Sequence, residues 1–310
     1  EVMIKVLARQ TARTLELQAS VRRDQYRTRS PAEGAFAVTS PAEAAAPAAY
    51  VVNRLSSTDY TVALRYAPVE DIALRASFGT GFLPPAVQQI APTLMEDFGF
   101  SLGADYWRGG TDMFVQPYDY ILGGNADLQP EESESWSAGV IFTPRFARGL
   151  RLSIDYSRIE KVNEITTPSF AFIVENEDLY PGRVVRGPKL DTDEDAWRGP
   201  ILSVDTGYIN LATSSLDAYD IQADYLMSTD RLGDFRWYAL GTWSRHYRTR
   251  SLPTAAEVDR VGFSGAPLEW RGNFGLDWSK GALSVLWNAQ YYDGYYIYSA
   301  TSSPASRATA

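Results

Sequence analysis

Few side chains among the 310 residues could run a reaction. Cysteine is absent and histidine occurs once, at His246, which excludes thiol nucleophiles, cysteine-bound zinc and any mechanism that needs two imidazoles. His246 sits between Arg245 and Tyr247 at the end of an alternating segment, where a lone histidine reads as a rim contact rather than a base or a ligand. The run Asp191-Thr192-Asp193-Glu194-Asp195 places carboxylates at the first, third and fifth positions of a calcium loop. Ala196 then replaces the turn glycine and Leu202 the closing glutamate, so the expectation is an acidic solvated loop with no metal and no cofactor. Neither a nucleophile elbow nor a glycine-rich phosphate cradle occurs in the sequence, and an enzyme is not expected. What the chain holds in excess is aromatic, with 19 Tyr, 13 Phe and 8 Trp. Three stretches concentrate such rings between the alternating segments: Tyr106-Trp107, Phe114 through Tyr118 to Tyr120, and Phe170 through Phe172 to Tyr180. Flat rings of this kind bind sugars and chelates with little loss of entropy. The net charge of -9 speaks against nucleic acid, because tracking phosphates takes a basic surface.

The elements that would position these residues alternate. From Leu15 to Val21, the apolar Leu15, Leu17, Ala19 and Val21 interleave with Glu16, Gln18 and Ser20. Period two recurs at Val62–Tyr66, Ile72–Phe78, Trp136–Phe142, Leu150–Tyr156, Tyr219–Met227, Phe235–Trp243, Trp270–Trp278 and Leu283–Tyr291, and more weakly at Val2–Ala8. Side chains alternate across a strand, so each segment has one apolar face and one mixed face. Across the nine stronger segments the apolar face has 39 positions and no charge, whereas the 30 interleaved positions carry ten charges. A membrane-spanning helix is not expected, since no window of about 18 uninterrupted apolar residues exists. A spanning barrel remains open, because its strands never show such a run. Glu-Val-Met at the start lacks the look of a signal peptide, and the beginning reads as a cut.

Connection lengths favour a barrel over a sandwich. Gaps at 10–13, 67–71, 144–149, 228–234 and 279–281 are short, and those at 24–59, 79–132, 162–215 and 248–268 are long and hold more than half the chain. Outer-membrane barrels are built with tight turns at one end and large loops at the other. A soluble antiparallel sandwich that binds carbohydrate also alternates, but its connections beyond about 15 residues are uncommon. Trp270, Trp278, Trp287, Tyr291, Trp237, Trp243 and Tyr225 lie on the apolar faces, mostly near segment ends, where rings favour a headgroup region. Residues 31 to 50, rich in Ala and Pro, read as a flexible loop without chemistry.

Gly123-Gly124-Asn125-Ala126-Asp127-Leu128-Gln129-Pro130-Glu131-Glu132-Ser133 is the most specific stretch. It resembles the motif of TonB-dependent outer-membrane receptors that closes a long extracellular loop and leads into a barrel strand. Leu74 to Pro85, with Gly81, Phe82 and Pro84, is similar to a strand of the same family that precedes that loop. Leu150–Ile165 and Asn210–Tyr225 resemble two later strands, with Ala218-Tyr219 where the family usually has Thr-Arg-Gly. Read physically, these residues shape the rim: Pro84 ends a ladder, Gly124 permits tight re-entry, and Pro130 stiffens the approach to the next strand.

The resemblance implies an all-β fold, an antiparallel transmembrane β-barrel of which about ten of the family's 22 strands are present, with long extracellular loops and short periplasmic turns. It implies that residues 1–310 are a partial barrel domain without the family's signal peptide, TonB-binding box, plug domain and closing strands. The implied function is uptake of a siderophore, a cobalamin or an oligosaccharide across the bacterial outer membrane, energised by the TonB-ExbB-ExbD complex through the plug. Outer-membrane lipid and the small-molecule or oligosaccharide ligand are the other partners. In that setting Tyr106, Trp107, Phe114, Tyr118, Tyr120, Phe172 and Tyr180 are expected to contact substrate, and Gly81, Phe82, Pro84, Gly124, Asn125, Leu128, Pro130, Glu131 and Ser133 to serve the rim. The alternatives are a passive porin or adhesin-like barrel with no energy coupling, and a soluble β-sandwich that binds carbohydrate.

Overall fold

A computed structural model of the chain describes residues 2–10, 13–31, 50–90, 105–109, 118–297 and 307–308. In chain order the elements are β1 (Val2–Gln10), β2 (Arg13–Pro31), β3 (Tyr50–Val69), β4 (Ile72–Leu83), α1 (Val87–Ile90), β5 (Asp119–Ile121), β6 (Glu131–Phe142) and β7 (Leu150–Thr166). They continue with α2 (Phe170–Glu175), β8 (Val184–Arg186), β9 (Ile201–Asp205), β10 (Ile209–Thr229), β11 (Gly233–Arg250) and β12 (Val258–Asp259). The series ends with β13 (Trp270–Lys280), β14 (Leu283–Tyr292), β15 (Tyr295–Tyr296) and β16 (Arg307–Ala308).

Ten strands form one antiparallel meander in the order β1-β2-β3-β4-β6-β7-β10-β11-β13-β14, each strand beside its predecessor in the wall. The register carries the alternation of the sequence across the whole sheet. Leu15, Tyr66, Leu74, Val140, Ile154 and Ile221 stand opposite one another strand by strand. One row nearer the loops, Ala76, Ala138, Tyr156, Tyr219, Trp243 and Trp270 do the same. A one-residue slip would exchange the two faces, so the apolar pattern itself fixes the register.

The apolar face is uncovered. Leu15, Leu17, Val62, Leu64, Leu74, Ile154, Ile221, Phe274 and Trp287 are all exposed, whereas the inner face of a sandwich would bury its equivalents against a second sheet. A contiguous apolar surface of this extent needs a non-aqueous neighbour. Rings border it on both sides. Toward the loops, Tyr219 stacks on Trp243 at 5.4 Å, Trp243 on Trp270 at 5.6 Å, and Phe78 lies against Trp136 at 4.2 Å. Toward the turns, Trp237 stacks on Tyr225 at 5.7 Å and on Phe235 at 5.3 Å. Such paired girdles flank the lipid-facing band of spanning barrels.

Several strands run further than the alternation. β2 and β3 stay paired out to Pro31–Tyr50, and β10 begins at Ile209. Beyond the girdle apolar and polar residues no longer divide between the faces, with Arg22, Arg23, Asp24 and Gln25 consecutive in β2 and Ile209 and Leu211 among polar neighbours in β10, so period two vanishes from the sequence while the backbone ladder continues. β10 alone has 21 residues, about twice what crossing a bilayer at a tilt requires. Pro31 and Tyr50 thus belong to strands, and residues 32–49 lie outside the described residues. At the opposite end the connections are tight. Gly149 closes one with φ +92°, and a Cβ there would lie 2.0 Å from the Leu226 carbonyl oxygen. Arg145 joins two neighbouring turns by pairing with Asp71 at 2.9 Å.

Candidate functional site

The polar face has a charged row at mid-height. Its register reads Glu16, Arg65, Arg75, Gly139, Asp155, Asp220, Thr242 and Arg271 from β2 to β13. Arg65 pairs with Glu16 at 3.3 Å. Arg75 reaches across β6 to Asp155, Nε to Oδ1 at 2.6 Å, because Gly139 between them has no side chain. Thr242 donates to Asp220 at 2.7 Å. A groove of about 430 Å³ runs beside this row, lined by Arg75, Ser137, Asp155, Ser157, Asp220 and Gln222. At mid-height the wall therefore offers a charge-balanced row in which Arg65, Arg75 and Asp220 already have partners.

At the loop end the connections build a cap with its own core. Tyr118, Phe170, Phe172, Ile173, Val174, Ile201 and Val204 pack together, and Trp107, Tyr120 and Tyr180 pack against them. Local chemistry sets each piece. Ser169 caps α2 by accepting from the Phe172 N–H at 3.2 Å, and Asp105 accepts from the Trp107 N–H at 3.1 Å to start the single turn Tyr106–Arg108. Gly109, at φ +82°, ends that turn. A three-stranded sheet in the order β5-β9-β8 joins segments more than 60 positions apart.

Arginines staple the cap. Arg186 bonds Asp105 at 2.9 Å and Glu177 at 2.9 Å, and donates to the Gly199 carbonyl. Arg198 pairs with Glu177 and, at 2.7 Å, with Asp178, while its guanidinium lies 3.8 Å over the Trp107 ring. Arg108 grips both oxygens of Asp193 and sits over Trp197. Arg183 donates to the carbonyls of Asp205, Gly207 and Tyr208. The hydrogen bond from Arg108 holds the Asp193 carboxyl below the usual carboxylate range, and that from Arg198 does the same for Asp178. Asp178 in turn raises Arg198 further. Tyr106 donates to Glu175, which raises its hydroxyl.

The rings proposed from sequence divide by burial. Tyr118 is 5% exposed and Phe172 7%, so both form the core of the cap. Trp107 is half-buried and donates through Nε1 to the Val174 carbonyl at 2.9 Å, and Tyr120 and Tyr180 are half-buried beside it. Tyr106 is 56% exposed and presents its ring outward. Phe114 lies outside the described residues. In the Asp191–Asp195 run, Asp193 is already held by Arg108 and by the Leu190 N–H. His246 meets Asp259 through Nδ1 at 2.6 Å. Partial burial raises Asp259, but the bonds from His246 and from the Tyr247 and Val261 N–H groups outweigh it and leave it lowered.

The rim motif ties strands together. Asn125 Nδ2 donates to the Tyr208 carbonyl, its backbone N–H to Gln89, and its side-chain oxygen accepts from Asp127. Leu128 is buried, and Asn53 of β3 donates to the Leu128 and Ala126 carbonyls. Gly124 and Pro130 are half-buried on either side. Glu131 accepts from the Ile165 N–H and pairs with Lys161, and Ser133 donates to the Gly81 carbonyl. Phe82 packs edge-on against Tyr26 at 5.5 Å, and Pro84 follows the last residue of β4. Sequence reasoning missed the four guanidinium staples, whose acidic partners lie as far as 85 positions away.

A family model described as TonB dependent receptor-like, beta-barrel matches residues 6–309. Among solved structures the chain is similar to a mutant of the ferric enterobactin receptor PfeA of Pseudomonas aeruginosa, with 13% identity and a TM-score of 0.53, over 96% of this chain and 36% of that one. It is similar to the siderophore receptor PirA of Acinetobacter baumannii, with 13% identity and a TM-score of 0.53, over 99% and 42%. A third likeness is to the ferric-catecholate import receptor Fiu of Escherichia coli K12, with 13% identity and a TM-score of 0.50, over 91% and 32%. The chain thus spans less than half the length of each, and the likeness is one of fold. A search of curated proteins found no match.

Proposed function

Because the chain belongs to the TonB-dependent receptor β-barrel family, we propose that it forms part of the wall and the ligand-gathering mouth of an outer-membrane active-transport receptor. The observation that carries this reading is the pairing of an uncovered apolar face, bounded by two bands of rings, with a charged polar face under an ordered cap. In a closed barrel the first face meets lipid and the second lines the lumen. The wall supplies a polar path, and the cap holds recognition groups in place before the ligand arrives, which limits the entropy lost on binding.

The cargo is a scarce nutrient complex such as a siderophore, a cobalamin or an oligosaccharide. The solved relatives are named for ferric enterobactin, siderophores and ferric catecholates, which supports an iron chelate. Within the cap, Tyr106 offers its face to ligand while Trp107, Tyr118 and Phe172 hold the surface in shape. Energy comes from the TonB-ExbB-ExbD complex. Uptake of a labelled chelate in a host with its own receptors deleted tests the proposal. Uptake should require an intact TonB complex. Uptake that survives its removal supports a passive porin, the second reading, which the polar groove along the wall would also serve.

A further inference from the structure

Above the girdle the two faces of the wall are charged differently. Side chains keep alternating along the extensions of β2 and β3, so the apolar face continues past Val21 and Tyr60 as Arg23, Gln25, Arg27 and Arg29 of β2 and Thr58, Ser56, Arg54 and Val52 of β3. Exposure follows the same division: Val52, Arg54, Ser56 and Thr58 are exposed, whereas Asn53 is buried and Leu55, Ser57 and Asp59 are half-buried. Four of these eight outward positions are arginines and none is a carboxylate.

On the inner face the charge is answered, since Arg22 bonds Asp24 at 2.5 Å and stands opposite Asp59. On the outer face Arg27 and Arg54 are direct cross-strand neighbours, and among the described residues neither they nor Arg23 pair with an acid. Like charges directly opposite destabilise a sheet. An anion from outside the chain, lying between the two guanidiniums, relieves that repulsion, and their forked donors fit phosphate. Glu132, Glu134 and Glu160 line a groove on the far side of Thr58 and Tyr60. Arg158 holds Glu160 and none of the three bonds an arginine of the patch, so they border it without neutralising it.

Height narrows the choice of anion. A tilted strand climbs about 2.5 Å per residue, which puts Arg23 about 5 Å above Val21, Arg27 about 15 Å and Arg29 about 20 Å. An ordinary phospholipid headgroup fills only about 5–8 Å beyond the hydrocarbon. Arg23 stands within that layer, and Arg27, Arg54 and Arg29 stand above it. We infer that this patch docks a multiply phosphorylated glycolipid of the outer leaflet, with one phosphate at Arg23 and another between Arg27 and Arg54. The inference rests on the outer-membrane reading of the wall and is independent of what the receptor carries.

The full-length receptor, freed of lipid in a neutral detergent, is titrated with three lipids while native mass spectrometry counts those bound. They are a rough lipopolysaccharide phosphorylated on lipid A and core sugars, the same lipid stripped of its phosphates, and phosphatidylglycerol. The phosphorylated glycolipid should bind roughly tenfold tighter or more than either of the others. Arg27→Gln together with Arg54→Gln should erase that margin, and Arg22→Gln on the inner face should keep it. Without lipid the double variant should be at least as stable as the unsubstituted protein, because a repulsion has gone. A less stable double variant, an unchanged margin in it, equal affinity for the three lipids, or displacement of the glycolipid by an equal concentration of inorganic phosphate overturns the inference and leaves the membrane reading intact. Failure of all three lipids to bind overturns both.

Discussion

Arg75 on β4 and Asp155 on β7 bond directly over the strand that separates them, at the one position where that strand has no side chain, Gly139. A Cβ at Gly139 would lie 1.8 Å from the Asp155 Oδ1 and 2.9 Å from the Ile154 carbonyl oxygen. Gly139→Ala should therefore break the link and destabilise the barrel by about 1–3 kcal/mol, as overpacking does. Denaturant titration in detergent, with Gly241→Ala as control because its Cβ meets nothing within 4 Å, measures this. Equal stability of the two variants would refute it.

The cap should loosen without the wall. Ile173 is fully buried among cap residues, so Ile173→Ala should cost about 2–5 kcal/mol of local stability. Amide exchange should accelerate in α2, β8 and β9 and stay slow in β10 and β11. Faster exchange along the whole of β10 would show that cap and wall unfold together.

Arg186 is a different kind of support. Its removal leaves the nearly buried Asp105 without its cation and Glu177 with Arg198 alone, and breaking such a pair costs about 3–5 kcal/mol. Arg186→Met should make the cap sensitive to limited proteolysis. Arg145→Met, at an exposed turn pair, should change stability by about 1 kcal/mol or less. Similar effects from both would contradict the assignment of Arg186 to the cap interior.

Acid should open the cap. Asp178 and Asp193 are held below their ordinary values by Arg198 and Arg108. A depressed carboxylate contributes stability that is complete above its unfolded value of about 4 and is lost as pH falls through the folded value. The cap should thus be unchanged between pH 5 and 7 and loosen below about pH 4, reported by the emission of Trp107 and Trp197, which lie under Arg198 and Arg108. An acid transition unaltered by Asp178→Asn together with Asp193→Asn would rule these groups out.

The rim motif predicts a further local effect. Asn53→Ala removes two donors from the Ala126 and Leu128 carbonyls, and stranding such acceptors costs about 1–3 kcal/mol. Exchange protection at Asn125 and Leu128 should fall while Ser133 stays protected; no change at Leu128 would count against a clamping role for Asn53.

The wall was legible because its information is local. Leu15, Leu17, Ala19 and Val21 declare a strand within seven residues, and all ten alternating segments lie inside strands of the wall. Strand ends were not, since Tyr50 to Ser57 and Ile209 to Leu216 stay paired with their neighbours above the height at which lipid imposes alternation. The cap was hidden for another reason. Tyr118 and Phe172 were expected to face ligand, and an aromatic ring in a long connection can either bind or pack. Only burial tells which, and burial depends on Ile201 and Val204, which arrive from distant positions. Arg186 and Asp105, 81 residues apart, likewise leave no spacing to read.

The bridge over Gly139 has a counterpart at Gly275, where Asn288 of β14 donates to the Tyr238 hydroxyl of β11 at 2.8 Å across β13. In each place a strand runs beneath a rung that belongs to its neighbours. Under tension, neither β6 nor β13 can be drawn sideways out of the sheet until a bond in which it takes no part has yielded. The wall should therefore resist peeling in units of three strands, and a pulling experiment would record steps larger than a single hairpin supplies.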